Sequence, residues 1–189
     1  MITQPIKLER LRRVSVVGTS SSGKTTFAKN FAQILNVKHI ELDAINWLPD
    51  WVERPKDKFL SLVEKAAAGD AWVFDGNYTR TREIVWGRAT AIVWLNYSFP
   101  RTFYRAIIKR TTRRTFTGEA MWAGNRETFG KAFLSRDSIL LWVLTTYHEK
   151  RRRYSKLLRK DKLSEKEIFI FQNPKQAEEF LQQVKQINA

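Results

Sequence analysis

The chain has 189 residues, 43% of them hydrophobic, a size and content suited to one domain with a sizeable core. It contains no cysteine, which excludes a disulfide framework and thiolate metal ligation, and no apolar run reaches the length of a membrane span. Its net charge is +15, from 34 Lys and Arg against 19 Asp and Glu, which points to anionic partners.

The first residues, Met1-Ile2-Thr3-Gln4-Pro5, lack the apolar segment of a secretion signal, so a cytoplasmic location is the expectation. Five short apolar runs then alternate with helical patterns. Strands are predicted at Val14–Val17, Val37–Leu42, Trp72–Phe74, Ala91–Leu95 and Glu167–Phe171. Helices are predicted near 23–35, 56–68, 80–87, 100–114, 137–159 and 174–187, with Pro55, Pro100 and Pro174 just inside three helix starts. This alternation predicts an α/β fold of three layers, a parallel sheet with helices on both faces, in a single domain spanning 1–189. Ligands of such sheets gather at the carboxyl ends of the strands, here near Asp43, Asp75 and Asn96.

Between the first strand and the first helix stands Gly18-Thr19-Ser20-Ser21-Ser22-Gly23-Lys24-Thr25, which is G-x-x-x-x-G-K-[ST], the phosphate-binding P-loop. Small residues let successive backbone N–H groups point inward at phosphate oxygens, and the following helix adds the positive end of its dipole. Lys24 can reach the β- and γ-phosphates, and the Thr25 hydroxyl can ligate Mg²⁺. The motif therefore predicts a bound nucleoside triphosphate with Mg²⁺.

Asp43 closes the second predicted strand, where it serves either as a general base toward an acceptor hydroxyl or as the N-cap of a short turn. His39 reads as a sheet-face residue. Asp75 closes Ala71-Trp72-Val73-Phe74 as a Walker-B carboxylate does, suited to complete the Mg²⁺ shell that Thr25 begins. In the helix after Pro100, Arg101, Arg105, Lys109 and Arg113 recur every four residues. They lead into 115–135, a stretch with three glycines, scattered aromatics and no sustained period, predicted to be a lid or flap. A second cluster, Lys150-Arg151-Arg152-Arg153, lies on the return helix, and at least one of its arginines is expected to point back at the phosphates. Residues 101–160 hold sixteen Lys/Arg and four Asp/Glu, a net +12. That surface suits either phosphorylated substrates or a nucleic acid.

The P-loop, the strand ending His39-Ile40-Glu41-Leu42-Asp43, then Trp47, Pro49 and Trp51, and Asp75-Gly76-Asn77-Tyr78 together resemble the small adenylate-kinase-related P-loop proteins. These carry the label DNA topology modulation or FlaR-like. The resemblance covers most of 12–114 and, more loosely, helix 137–158 and the last strand. It implies a P-loop NTPase fold with five parallel strands in the order 2-3-1-4-5 and a basic helical lid. It implies ATP held by Gly18, Ser20, Ser21, Ser22, Gly23, Lys24, Thr25 and Thr26, with lid arginines Arg105, Arg110 and Arg114 beside the phosphates. The acceptor would lie among Asp43, Trp47, Asp75, Asn77 and Arg80. The tryptophans of 44–55 either stack on a flat ring or pack against one another. The expected activity is phosphoryl transfer from ATP·Mg²⁺ to a small acceptor, with Lys24, Asp43, Arg105 and Arg110 as catalytic residues. The alternative is a nucleotide-switched protein that grips nucleic acid.

Overall fold

The structure is a computed structural model, and it describes residues 6–105, 122–125, 139–159, 163 and 165–188; for Phe103, Arg105 and residues 139–145 it describes the backbone alone. Strand β1 (Arg13–Gly18) runs into the phosphate loop and helix α1 (Lys24–Leu35). Then come β2 (Lys38–Glu41), α2 (Leu42–Asn46), α3 (Lys56–Ala67), β3 (Trp72–Asp75), α4 (Arg82–Arg88), β4 (Ala91–Leu95) and α5 (Phe99–Arg105). Helix α6 (Ile139–Leu157), β5 (Glu167–Phe171) and α7 (Pro174–Ile187) complete the chain. All five strands are parallel, in the order β2-β3-β1-β4-β5, so the predicted α/β class and strand order are both found.

The sheet separates two cores. On one face Val14, Val16, Val73, Val93 and Leu95 meet Phe27 and Phe31 of α1 and Phe180 and Val184 of α7. On the other, Val17, Ile40, Phe74, Ile92 and Trp94 meet Phe59 and Val63 of α3, Trp86 of α4 and Tyr154 and Leu158 at the end of α6. Strands buried on both faces read as continuous apolar runs, as β3 and β4 do. Caps fix the helix ends: Asn36 ends α1 in a left-handed conformation, its N–H returned to Ala32 and Gln33, and the Asn173 side chain accepts the Gln176 N–H at the start of α7.

Several boundaries differ from expectation. The second strand stops at Glu41, because Leu42 already starts α2 with its side chain in the α3-side core. Asp43 thus stands in a helical first turn and not at a strand end. The fourth helix begins as a 3₁₀ turn at Thr79–Thr81 before α4 proper. Pro55 is the N-cap of α3, one residue outside the predicted position, since its backbone is extended (ψ 134°). Of the predicted 100–114 helix, the described part is Phe99–Arg105.

Candidate active site

The phosphate loop leaves β1 between its two sheet neighbours and turns tightly. A Cβ on Gly18 would stand 2.8 Å from the Ser22 hydroxyl and 2.9 Å from the Leu95 carbonyl, so glycine is required there by close approach. Gly23 and Ser21 both adopt left-handed backbone, with φ of 88° and 63°. The hydroxyls of Thr19, Ser21 and Ser22 are buried without a hydrogen-bond partner among the described residues. A loop of small residues with unsatisfied polar groups beside a helix N-terminus fits a polyphosphate, whose oxygens would satisfy them. Lys24 opens α1, and its ammonium donates to the Thr19 carbonyl at 3.3 Å, folded back along the loop.

Asn77 fixes the root of this loop. Its amide accepts from the Gly18 N–H at 3.3 Å, donates to the Gly18 carbonyl and accepts from the Tyr154 hydroxyl at 3.1 Å. Asn77, predicted in the acceptor group, is hydrogen-bonded to the first residue of the phosphate loop. Gly76 lets the chain pass: its φ is 138°, and a Cβ there would lie 2.7 Å from that of Leu42.

Alternation divides the strand ends between the two faces. Asp75 shares the α1 face with Val73, and His39 and Glu41 take the same face, opposite to Ile40. Glu41 is in register with Asp75, which is 1% exposed. His39 Nε2 lies 2.9 Å from Asp75 Oδ2, its Nδ1 lies 3.9 Å from Glu41 Oε1, and the Trp122 indole donates to Glu41 Oε2 at 2.7 Å. Reading β2 alone gave His39 no partner, because its partner stands on the neighbouring strand.

Three residues predicted for the acceptor, Asp43, Trp47 and Arg80, lie in and around α2 and its neighbours. The Tyr78 hydroxyl donates to Asp43 Oδ1 at 2.7 Å, and burial, followed by the Asp43 charge, raises the phenol well above its ordinary value. Asp43 is thereby oriented by a neutral donor. The Arg80 guanidinium lies 4.5 Å above the Phe59 ring and 5.5 Å from that of Tyr78, donates to Asn46 Oδ1 and reaches Glu53 at 3.4 Å. Trp47 packs edge-on to Trp51, and Trp51 edge-on to Trp122. The tryptophans of 44–55 thus pack against one another and against the flap.

Residues 122–125, the described part of the predicted flap, contact the segment 48–51. Asn125, 6% exposed, accepts the Trp51 N–H at 3.0 Å and donates to the Leu48 carbonyl at 2.9 Å. Helix α6 turns a lysine toward the loop and not one of the arginines expected there, all three of which face outward. The Tyr147 hydroxyl donates to the Tyr97 carbonyl at 2.7 Å, just past β4, while Tyr154 reaches Asn77, just past β3. Strand β1 lies between those two strands. Lys150, between the two tyrosines on the same helical stripe, therefore lies over the phosphate loop. It interacts electrostatically with Lys24 and Asp43, and burial, then Lys24, push its ammonium down to about 8. Arg151, Arg152 and Arg153 are exposed. Arg110, Arg114 and most of 115–135 lie outside the described residues, as does the side chain of Arg105.

A phosphate loop at the end of the central strand of a 2-3-1-4-5 parallel sheet defines the P-loop kinase fold. Solved structures agree. A shikimate kinase from Bacteroides thetaiotaomicron superposes with a TM-score of 0.54 at 18% identity, covering 93% of this chain and 97% of its own. The shikimate kinase of Acinetobacter baumannii, in complex with shikimate, gives 0.56 at 16% identity over 95% and 94%. A gluconokinase from Sinorhizobium meliloti gives 0.51 at 16% identity over 94% and 91%. Comparison with protein-family models and with curated proteins finds no match. Among the described residues no helix is long and apolar enough to cross a membrane.

Proposed function

We propose that the chain is a P-loop phosphotransferase that moves the γ-phosphoryl group of ATP to a hydroxyl or phosphate of a small acceptor. The observation that carries this reading is the placement of two opposed groups at the carboxyl ends of the strands. The unsatisfied phosphate loop with Lys24 stands on one side, and Asp43, held by Tyr78, stands on the other, with Lys150 coupled to both.

The roles follow from those placements. Gly18, Ser20, Ser21, Ser22, Gly23, Lys24, Thr25 and Thr26 hold the donor phosphates through backbone N–H groups, hydroxyls and one ammonium. Thr25 and Asp75 fit a Mg²⁺ ion, a hydroxyl and a carboxylate being hard oxygen donors. That ion supplies charge neutralisation at the β- and γ-phosphates. Asp43 orients the acceptor hydroxyl and takes its proton as the new O–P bond forms and the bond to the ADP oxygen breaks. Lys150, with Arg105, Arg110 and Arg114 of the flap region, faces the charge spread over the transferring group. Trp47 and Arg80 shape the acceptor side, and the flap, docked through Trp122 and Asn125, excludes water. The nucleic-acid alternative draws no support from the similar structures, which carry the names of small-molecule kinases.

The test is ATP turnover against a panel of shikimate, gluconate, simple sugars, nucleosides and nucleoside monophosphates. One member is expected to raise turnover well above the acceptor-free rate, and Lys24→Ala to lower it by roughly 10²–10³-fold with the fold intact. A flat response across the panel, or full activity in Lys24→Ala, overturns the reading.

A further inference from the structure

Two carboxylates and one imidazole converge on the α1 face at the β2–β3 edge. His39 and Glu41 are two residues apart on β2, hence on one face, and Asp75 stands in register with Glu41 on β3. One ligand atom from each lies within 4.8 Å of the other two. Asp75 is almost completely buried, and among the described residues the basic side chain seen at both carboxylates is the His39 ring. A buried carboxylate such as Asp75 needs a hydrogen-bond donor or a cation close by. Glu41 is also oriented from outside by the Trp122 indole at 2.7 Å, the kind of second contact that fixes a metal ligand in place.

We infer that His39, Glu41 and Asp75 form a binding site for a divalent first-row transition metal ion, of the Mn²⁺ or Zn²⁺ class, that is occupied without nucleotide. The donor set makes the choice of metal. An imidazole nitrogen with two carboxylates suits Mn²⁺, Fe²⁺, Co²⁺ or Zn²⁺, whereas Mg²⁺ and Ca²⁺ take oxygen shells. The site is separate from the Mg²⁺ proposed at Thr25, which arrives with the triphosphate. It shares Asp75 with that ion, so a metal here sets the orientation of the carboxylate that faces the nucleotide. Through Glu41 and Trp122 the same ion ties the flap to the sheet edge.

The experiment uses the full chain without nucleotide. Mn²⁺ is titrated in while free Mn²⁺ is followed by electron paramagnetic resonance and the histidine ring signals by NMR. The chain has two histidines, His39 and His148, the second exposed on α6, and His148→Gln assigns the signals without touching the cluster. One Mn²⁺ per chain is expected, broadening the His39 ring resonances and sparing those of His148. Zn²⁺ is expected to displace it, and Mg²⁺ to do so only at concentrations at least ~10-fold higher. His39→Asn and Glu41→Gln should weaken Mn²⁺ binding more than about 10-fold, and Trp122→Phe by about 10-fold. Thr25→Ala should leave it unchanged.

No Mn²⁺ or Zn²⁺ binding by the wild-type chain without nucleotide, or broadening that spares His39, overturns the inference. That result would describe a hydrogen-bonded imidazole between two carboxylates and nothing more. Turnover and its loss in Lys24→Ala are read separately, so failure here is distinguishable from failure of the phosphotransferase reading.

Discussion

Lys150 is held among charges of both signs: Lys24 of α1 and Asp43 of α2 across the cleft, and Glu149 on its own helix. Its ammonium is pushed down from 10.5 to about 8, first by burial and then by Lys24. Between those two values the unfolded chain binds a proton that the native lysine has released, so this residue makes stability rise with pH across that window. Below it, the charged form costs stability. A bound triphosphate reverses the preference, because its oxygens favour the ammonium. Nucleotide affinity is therefore expected to hold below about pH 8 and to fall above it, by up to ~10-fold per pH unit. Titration calorimetry with a non-hydrolysable ATP analogue should show this fall shifted to higher pH in Lys150→Arg. In Lys150→Met affinity should be low and flat, and a profile identical to wild type would remove Lys150 from the donor site. Gly76 makes a different demand at the same scale. Alanine there meets Leu42 at 2.7 Å on a positive-φ backbone and should cost about 1–3 kcal/mol in urea unfolding, disturbing α2 and with it Asp43.

At the scale of elements, α6 is aimed by its two tyrosine hydroxyls, which span the strands on either side of β1. Each single Tyr→Phe change should cost roughly 0.5–1.5 kcal/mol, seen as a fall in Tm of a few degrees for a chain of this size. The double variant Tyr147→Phe, Tyr154→Phe should also weaken ATP binding, although neither hydroxyl is assigned to the nucleotide. That loss should vanish in a Lys150→Met background, where there is no ammonium left to aim. An equal loss in both backgrounds would mean that the tyrosines act on the loop itself through Asn77.

The same elements show what a sequence carries and what it does not. Strand–loop–helix order and the apolar runs of β3 and β4 are local, so the sheet and the turn from β1 into α1 were legible. Lys150 was missed in favour of the three arginines beside it, because choosing among the four needs the register of α6 over the sheet. His39 and Glu41 were read on β2 alone. Their partner is 34 to 36 residues away on β3, and only the pairing of Glu41 with Asp75 brings the three together. Asn77 was read as an acceptor ligand on the analogy of its motif, and its bonds to Gly18 come from a distance of 59 residues.

At the scale of the whole molecule the dominant fact is charge: +15 in total, with +12 in residues 101–160. A folded chain so charged repels itself, and any anion that binds the native state stabilises it. Binding at 100 times Kd is worth about 2.7 kcal/mol, or a rise in Tm of roughly 5–11 °C at this size. ATP·Mg²⁺ and a short DNA duplex could both produce such a rise, but their salt dependence must differ. A triphosphate enclosed by loop N–H groups is held by short, partly buried contacts. A duplex on exposed arginines is held by counterion release, and its affinity falls as a high power of salt. In thermal unfolding, the gain from ATP·Mg²⁺ should therefore largely survive in about 0.5 M salt, where any gain from the duplex should be lost, since the Debye length there is well below 10 Å. Lys24→Ala should erase the first gain and leave the second untouched. A gain from ATP·Mg²⁺ that survives Lys24→Ala but disappears with salt would place the triphosphate on the basic surface and not in the loop.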